Sequence, residues 1–169
     1  MLRFIFIPVL CLLFTNSSSK KHICQCAYQG AFLSVAPATK FVALIKVTKY
    51  LTFKDILGEK TPMSMEVEIT EIYKGNDDRK TVTVWGDPGN LCRPYLSQFK
   101  EGAYYVIAFD PAGRSANEKE TDYSISICGA FWLNADIEKQ IASGDINSGK
   151  QSEIQTMDLF QLKSELLKK

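Results

Sequence analysis

Two cysteines one residue apart, Cys24-Gln25-Cys26, constrain this chain more than any other stretch. A bridge between residues so close is strained. If the pair is oxidised, each sulfur reaches a distant partner and pins the start of the chain to its body. Cys92 and Cys128 are the available partners.

What precedes the pair indicates the redox compartment. Met1-Leu2-Arg3 carries one positive charge, Phe4 to Phe14 is almost wholly apolar, and Thr15 to Ser19 is small and polar. That is the layout of a secretory signal peptide over residues 1–19, with cleavage near Ser17 to Ser19. The apolar run is about half the roughly 20 residues that a membrane-crossing helix needs, so no stable membrane insertion is expected. The chain reads as secreted, either extracellular or held in a periplasm or cell envelope. Cys11 leaves with the leader, and the bulky Val9-Leu10 before it do not suit lipid attachment.

Four cysteines remain, and in an exported chain they read as two disulfides. Setting aside a Cys24–Cys26 bridge leaves two pairings open. Both close long loops, worth about 4 kcal/mol per bridge in the chain-entropy account.

With 169 residues, 46% of them hydrophobic and 23% charged, the chain suits one compact domain. Basic and acidic residues number 20 and 19, so there is no bulk attraction to nucleic acid or anionic lipid.

Strand signals recur along the chain. Phe41 to Thr48 is rich in β-branched residues and reads as a long strand continuing toward Phe53. Residues 55–62, with Gly58 and Pro62, read as a loop. From Met63 the apolar residues Met65, Val67 and Ile69 alternate with Glu66, Glu68 and Thr70. The alternation slips at Glu71-Ile72, predicting a bulge that bends the sheet toward closure. A turn at 74–78 leads to a short strand, Thr81 to Trp85. Gly86-Asp87-Pro88-Gly89-Asn90 then delivers Cys92.

Ala103 to Phe109 reads as a buried strand, residues 114–121 as a polar, mobile loop, and Tyr123 to Cys128 as a fifth strand. Beyond Trp132 the period changes, predicting a short helix over 135–142 and an amphipathic helix over 154–167. The expected fold is all-β with C-terminal helices: a five-stranded closed barrel of the oligonucleotide/oligosaccharide-binding type over residues 20–134, then a helical segment over 135–169.

Candidate sites are few. The one histidine, His22, lies at the start of the exported chain, so a His-dependent nucleophile or base in the core is not available. Glu66 and Glu68 share one face of a strand and read as a solvated face rather than an acid/base pair. No catalytic residue and no cofactor is expected, and the chain does not read as an enzyme. His22, Cys24 and Cys26 lack the spacing of a structural zinc site. If the mature chain begins at Lys20, however, its amine, two amide nitrogens and the His22 imidazole could enclose Cu(II), making an envelope metal or small-ligand binder an alternative. Tyr104, Tyr105, Phe109, Phe131 and Trp132 could stack bases, but the scattered lysines supply no positive groove.

Together, Cys24-Gln25-Cys26, Val67-Glu68-Ile69-Thr70-Glu71-Ile72-Tyr73-Lys74-Gly75, Glu101-Gly102-Ala103-Tyr104-Tyr105-Val106-Ile107-Ala108 and Ser124-Ile125-Ser126-Ile127-Cys128-Gly129 occur in the order found in netrin-like domains. The chain most resembles the amino-terminal domain of tissue inhibitors of metalloproteinases, over about Cys24 to Leu133. The resemblance implies a barrel of the type above and pairs Cys24 with Cys92 and Cys26 with Cys128. It also implies a protein partner, with zinc metalloproteases the best-defined class and Cys24, Gln25 and Cys26 as the contact. In that family the first cysteine's free amine and carbonyl chelate the protease zinc, and the following side chain enters the specificity pocket. This chain departs from the family in having no cysteines for its third disulfide in this domain. Lys21 and Ile23 also stand where cleavage just before Cys24 would want small residues. The alternative partner is a protein unrelated to proteases.

Overall fold

The computed structural model describes residues 24–148 and 154–168. The expected leader, Cys11 and His22 lie outside them.

A one-turn helix α1 (Phe32–Val35) and a 3-10 turn (Ala36–Ala38) precede β1 (Phe41–Ile56), β2 (Glu59–Lys74) and β3 (Thr81–Trp85). After a second 3-10 turn (Leu96–Gln98) come β4 (Tyr104–Pro111), β5 (Tyr123–Ser124), β6 (Trp132–Asp136), β7 (Ile141–Gly144), β8 (Gln155–Asp158) and helix α2 (Leu159–Leu167). Strands β1, β2, β3, β5 and β4 pair in that order, and β4 returns to β1, closing a five-stranded barrel. All barrel pairs are antiparallel except β3 with β5. The order continues from β4 through β6 and β7 to β8.

Closure depends on how β1 and β2 bend. Thr70 and Tyr73 of β2 have no partner opposite them, one on either side of the predicted slip, and Thr48 and Leu51 of β1 are likewise unmatched. Each extra residue adds local twist, which carries the long hairpin around the core. That core contains Ile45, Val47, Met65, Val67, Val84, Leu96, Phe99, Ile107, Ile125 and Leu133, all nearly inaccessible. Its first strand half, Phe41 to Ile45, is buried throughout, with β2 on one side and β4 on the other.

Four local expectations change. Residues 55–62 form a tight hairpin rather than a loop: Leu57 and Gly58 both take positive φ, 56° and 86°, as a type I′ turn requires, and the Gly58 amide donates to Asp55 at 2.9 Å. The result is a two-stranded arm beyond the barrel.

The helix expected over 135–142 is instead the β6–β7 hairpin. Helical spacing of its apolar residues is outweighed by β4, whose Tyr104 to Ile107 edge takes Ala135 to Trp132 as a partner. Asp136 secures the turn by accepting from the Lys139 amide at 3.0 Å.

Only Tyr123-Ser124 of the expected fifth strand pairs in the sheet. The chain then leaves the ladder toward Cys26, and Ile127 is exposed instead of facing inward.

The final helix starts at Leu159, not Ile154, because Asp158 caps it, accepting from the amides of Phe160 at 2.9 Å and Gln161 at 3.0 Å. Leu159, Leu162 and Leu166 bury one face in the core. Among the described residues, no helix is long and apolar enough to cross a membrane.

Candidate functional site

The bridges are Cys24–Cys92, separated by 68 positions, and Cys26–Cys128, separated by 102. They lie side by side, with the Cys24 and Cys26 sulfurs 3.9 Å apart. Gln25 is exposed between them.

Three segments meet here, each positioned by its own chemistry. The first, residues 24–30, has no regular secondary structure, so its backbone pairs with loops. The Gln29 amide donates to the Cys128 carbonyl at 2.6 Å, and the Ala130 amide to the Gly30 carbonyl at 3.0 Å. The Tyr28 hydroxyl donates to the Asp145 carboxylate. Burial raises the Tyr28 phenol to about 12, and its bond to Asp145 and the charge of that carboxylate act in the same direction.

The second segment carries Cys92. One Asp87 carboxylate oxygen accepts from the amides of Gly89, Asn90 and Leu91 at 2.7, 2.7 and 2.9 Å. Three donors converging on one charged oxygen determine the path of the loop. Cys92 itself sits at φ 55°, a left-handed conformation uncommon outside glycine, and its carbonyl accepts from the Ile127 amide at 3.0 Å. This bond ties the second segment to the third, where Cys128 donates its amide to the Ser126 hydroxyl at 3.1 Å.

Beside the bridges lies a polar cleft of about 340 Å³ whose walls include Gln29, Asn90, Arg93, Asp110, Arg114 and Ser126. Arg93 is turned inward: its guanidinium donates to both oxygens of Glu118 at 2.6 and 3.0 Å, with both side chains buried. Glu118 also accepts from the amides of Gly113 and Arg114, each at 2.9 Å. The 114–121 stretch expected to be mobile is therefore anchored through Glu118. Burial acts to raise the Glu118 carboxyl, but its bonds to Arg93 and to the two amides outweigh this and hold it below the ordinary range. Asp110 goes the other way, because burial lifts it despite the opposing charges of Arg114 and Arg93.

The arm joins this surface through Lys54, whose ammonium reaches the Pro88 carbonyl at 3.5 Å. Phe53 and Leu57 on the arm are exposed. A second cleft of about 640 Å³ lies between the arm and the Trp85–Pro88 stretch, with Glu118 also on its wall.

Other candidate residues have structural surroundings. Glu66 accepts from Thr48 at 2.9 Å and lies 3.6 Å from Lys49; Glu68 lies 3.4 Å from Lys80. Tyr105, Phe109 and Phe131 are buried, and Trp132 and Tyr105 each meet Phe99 edge-on. The Tyr104 ring lies under the Lys46 ammonium at 5.6 Å.

Sequence reasoning missed Arg93, Asp110 and Glu118, since nothing local marks residues that meet only across the fold. Asp87 was findable, because an aspartate opening a Pro-Gly-Asn turn is a ready acceptor for the amides that follow. Comparison of the chain with protein-family models and with curated proteins finds no match.

Proposed function

We propose that this is an exported, netrin-like barrel that acts by binding another protein, and that its contact surface is the Cys24-Gln25-Cys26 segment with the adjoining hairpin arm. The observation that carries the reading is the exposure of Gln25 between two bridges. A segment held this way loses little further freedom when a partner closes on it, which favours affinity. Supporting it, the arm exposes Phe53 and Leu57, and its Lys54 reaches Pro88 in the loop that carries Cys92.

The best-defined partner class is a zinc metalloprotease, following the resemblance to tissue inhibitors of metalloproteinases. In such a complex the Cys24 carbonyl, and its nitrogen if cleavage frees it as an amine, would ligate the protease zinc and displace the water needed for hydrolysis. Gln25 would enter the pocket that selects the substrate side chain. If the nitrogen remains in an amide, it is a very poor ligand, and a partner unrelated to proteases becomes the better reading, with the arm as its main contact.

Intact mass and amino-terminal sequence of the exported protein separate these cases, followed by titration against a panel of zinc proteases. A terminus at Cys24 with stoichiometric inhibition supports the inhibitor. Unaltered rates across the panel remove it and leave the binding module.

A further inference from the structure

The Sγ atoms of Cys24, Cys26, Cys92 and Cys128 all lie within 4.8 Å of one another, and those of Cys24 and Cys26 are 3.9 Å apart. In a tetrahedral tetrathiolate with metal–sulfur bonds near 2.3 Å, the sulfurs lie about 3.8 Å apart. Spacing between the two bridges is therefore already close to that of a metal site. Only the bonded pairs, at 2.08 and 2.00 Å, must part. Their Cα atoms, 5.0 and 5.6 Å apart, are compatible with sulfurs about 3.8 Å apart.

Part of the frame that gathers these sulfurs is held by bonds other than the bridges. Gln29 binds the Cys128 carbonyl, Ala130 binds Gly30, and Ile127 binds the Cys92 carbonyl, all through backbone hydrogen bonds. Asp87 organises the Cys92 loop, while Phe32 and Leu33 donate their amides to Asp145 and Ile146 at 2.9 Å each. These bonds do not involve the bridges; they set the Cys92 loop beside Cys128 and bring the first segment to Cys128 at Gln29, favouring the same arrangement when the sulfurs are reduced.

We infer that, with both bridges reduced, Cys24, Cys26, Cys92 and Cys128 form a tetrathiolate site for one soft divalent ion of the zinc class, and that oxidation of the same sulfurs expels it. A dithiol reductant delivers two electrons and two protons to each bridge and becomes a disulfide. The four thiols release their protons to solvent as four metal–sulfur bonds form. In reverse, a disulfide oxidant takes two electrons from each cysteine pair and is reduced to thiols, leaving the ion without ligands. The Cys-X-Cys spacing alone does not suggest this site, because two of its four ligands come from distant loops. It is independent of which protein, if any, the surface binds.

The test uses the full exported chain, reduced with a phosphine and freed of excess reductant under anaerobic conditions. Titration with cobalt(II) is expected to give the intense visible bands and near-ultraviolet charge transfer of a tetrahedral tetrathiolate, saturating at one ion per chain. Zinc(II) should then bleach the bands, and glutathione disulfide should release the zinc to a chromogenic chelator. The oxidised chain should give no bands, and the double variant Cys26→Ser with Cys128→Ser should lose the tetrathiolate signature. Circular dichroism follows the fold throughout. If reduction alone unfolds the chain, zinc is expected to restore the β signal. A reduced chain that stays unfolded with zinc, stays folded without the cobalt bands, or keeps those bands in the double variant would overturn the inference.

Discussion

Arg93 and Glu118 form a two-pronged ion pair at 2.6 and 3.0 Å with both side chains almost wholly buried, joining the residue after Cys92 to the middle of the loop after β4. Removing one partner leaves the other charged and buried, which costs about 3–5 kcal/mol, whereas replacing both by apolar residues of similar volume is close to neutral. Urea denaturation with disulfides intact should therefore show Glu118→Ala strongly destabilised and the double variant Arg93→Met with Glu118→Leu much less so, its remaining loss reflecting the Gly113 and Arg114 amides that Glu118 also holds.

The same carboxylate makes stability pH-dependent. Its folded pKa lies below its unfolded value, so its contribution is present above the unfolded value and is lost as pH falls through the folded one. Midpoints in urea measured down an acid series should fall for the wild type through that window. They should fall less for Glu118→Gln.

At the alkaline end Tyr123 acts in the opposite sense. Burial and its 2.7 Å bond to Asp77 raise the phenol from 10.0 to about 12. Stability it contributes is complete below the unfolded value of 10.0 and is lost as pH rises toward about 12. Ultraviolet titration should show delayed ionisation, and Tyr123→Phe should flatten the alkaline stability profile.

Two glycines with similar backbones should respond differently to alanine. Gly75 (φ 82°) would place a Cβ 2.2 Å from the Lys40 carbonyl oxygen, while Gly58 (φ 86°) has open space around it. Gly58→Ala should cost about 1 kcal/mol from conformation alone. For Gly75→Ala, denaturant midpoints should report about 3 kcal/mol or more, since the backbone must also shift.

Asp158→Ala removes the acceptor for two amides at the start of α2 and should cost about 1 kcal/mol. Hydrogen exchange should show the change concentrated in the first turn of the helix, with the barrel amides unaffected.

Much of the barrel was legible because its strands carry local signals. The Met65, Val67, Ile69 alternation and its slip at Glu71-Ile72 correspond to β2 and its bulges, and the turn formers after Trp85 correspond to the Cys92 loop. Errors gathered where pairing overrode local pattern. Apolar residues of 135–142 have helical spacing, yet the open edge of β4 recruits them as a hairpin. Tyr123 to Cys128 alternates like a strand, but only Tyr123-Ser124 stays in the ladder, and the rest turns toward Cys26.

From the residues alone, Cys24 and Cys26 require distant partners if oxidised, because a bridge between neighbours so close is strained; that requirement is local and sequence carries it. Which partner each takes depends on where loops separated by 68 and 102 positions come to rest. The meeting of Arg93 with Glu118, and the convergence of four sulfurs on one small volume, were likewise decided only by the tertiary structure. Barrel closure and a few cross-loop hydrogen bonds create these proximities, and no short stretch of sequence encodes them.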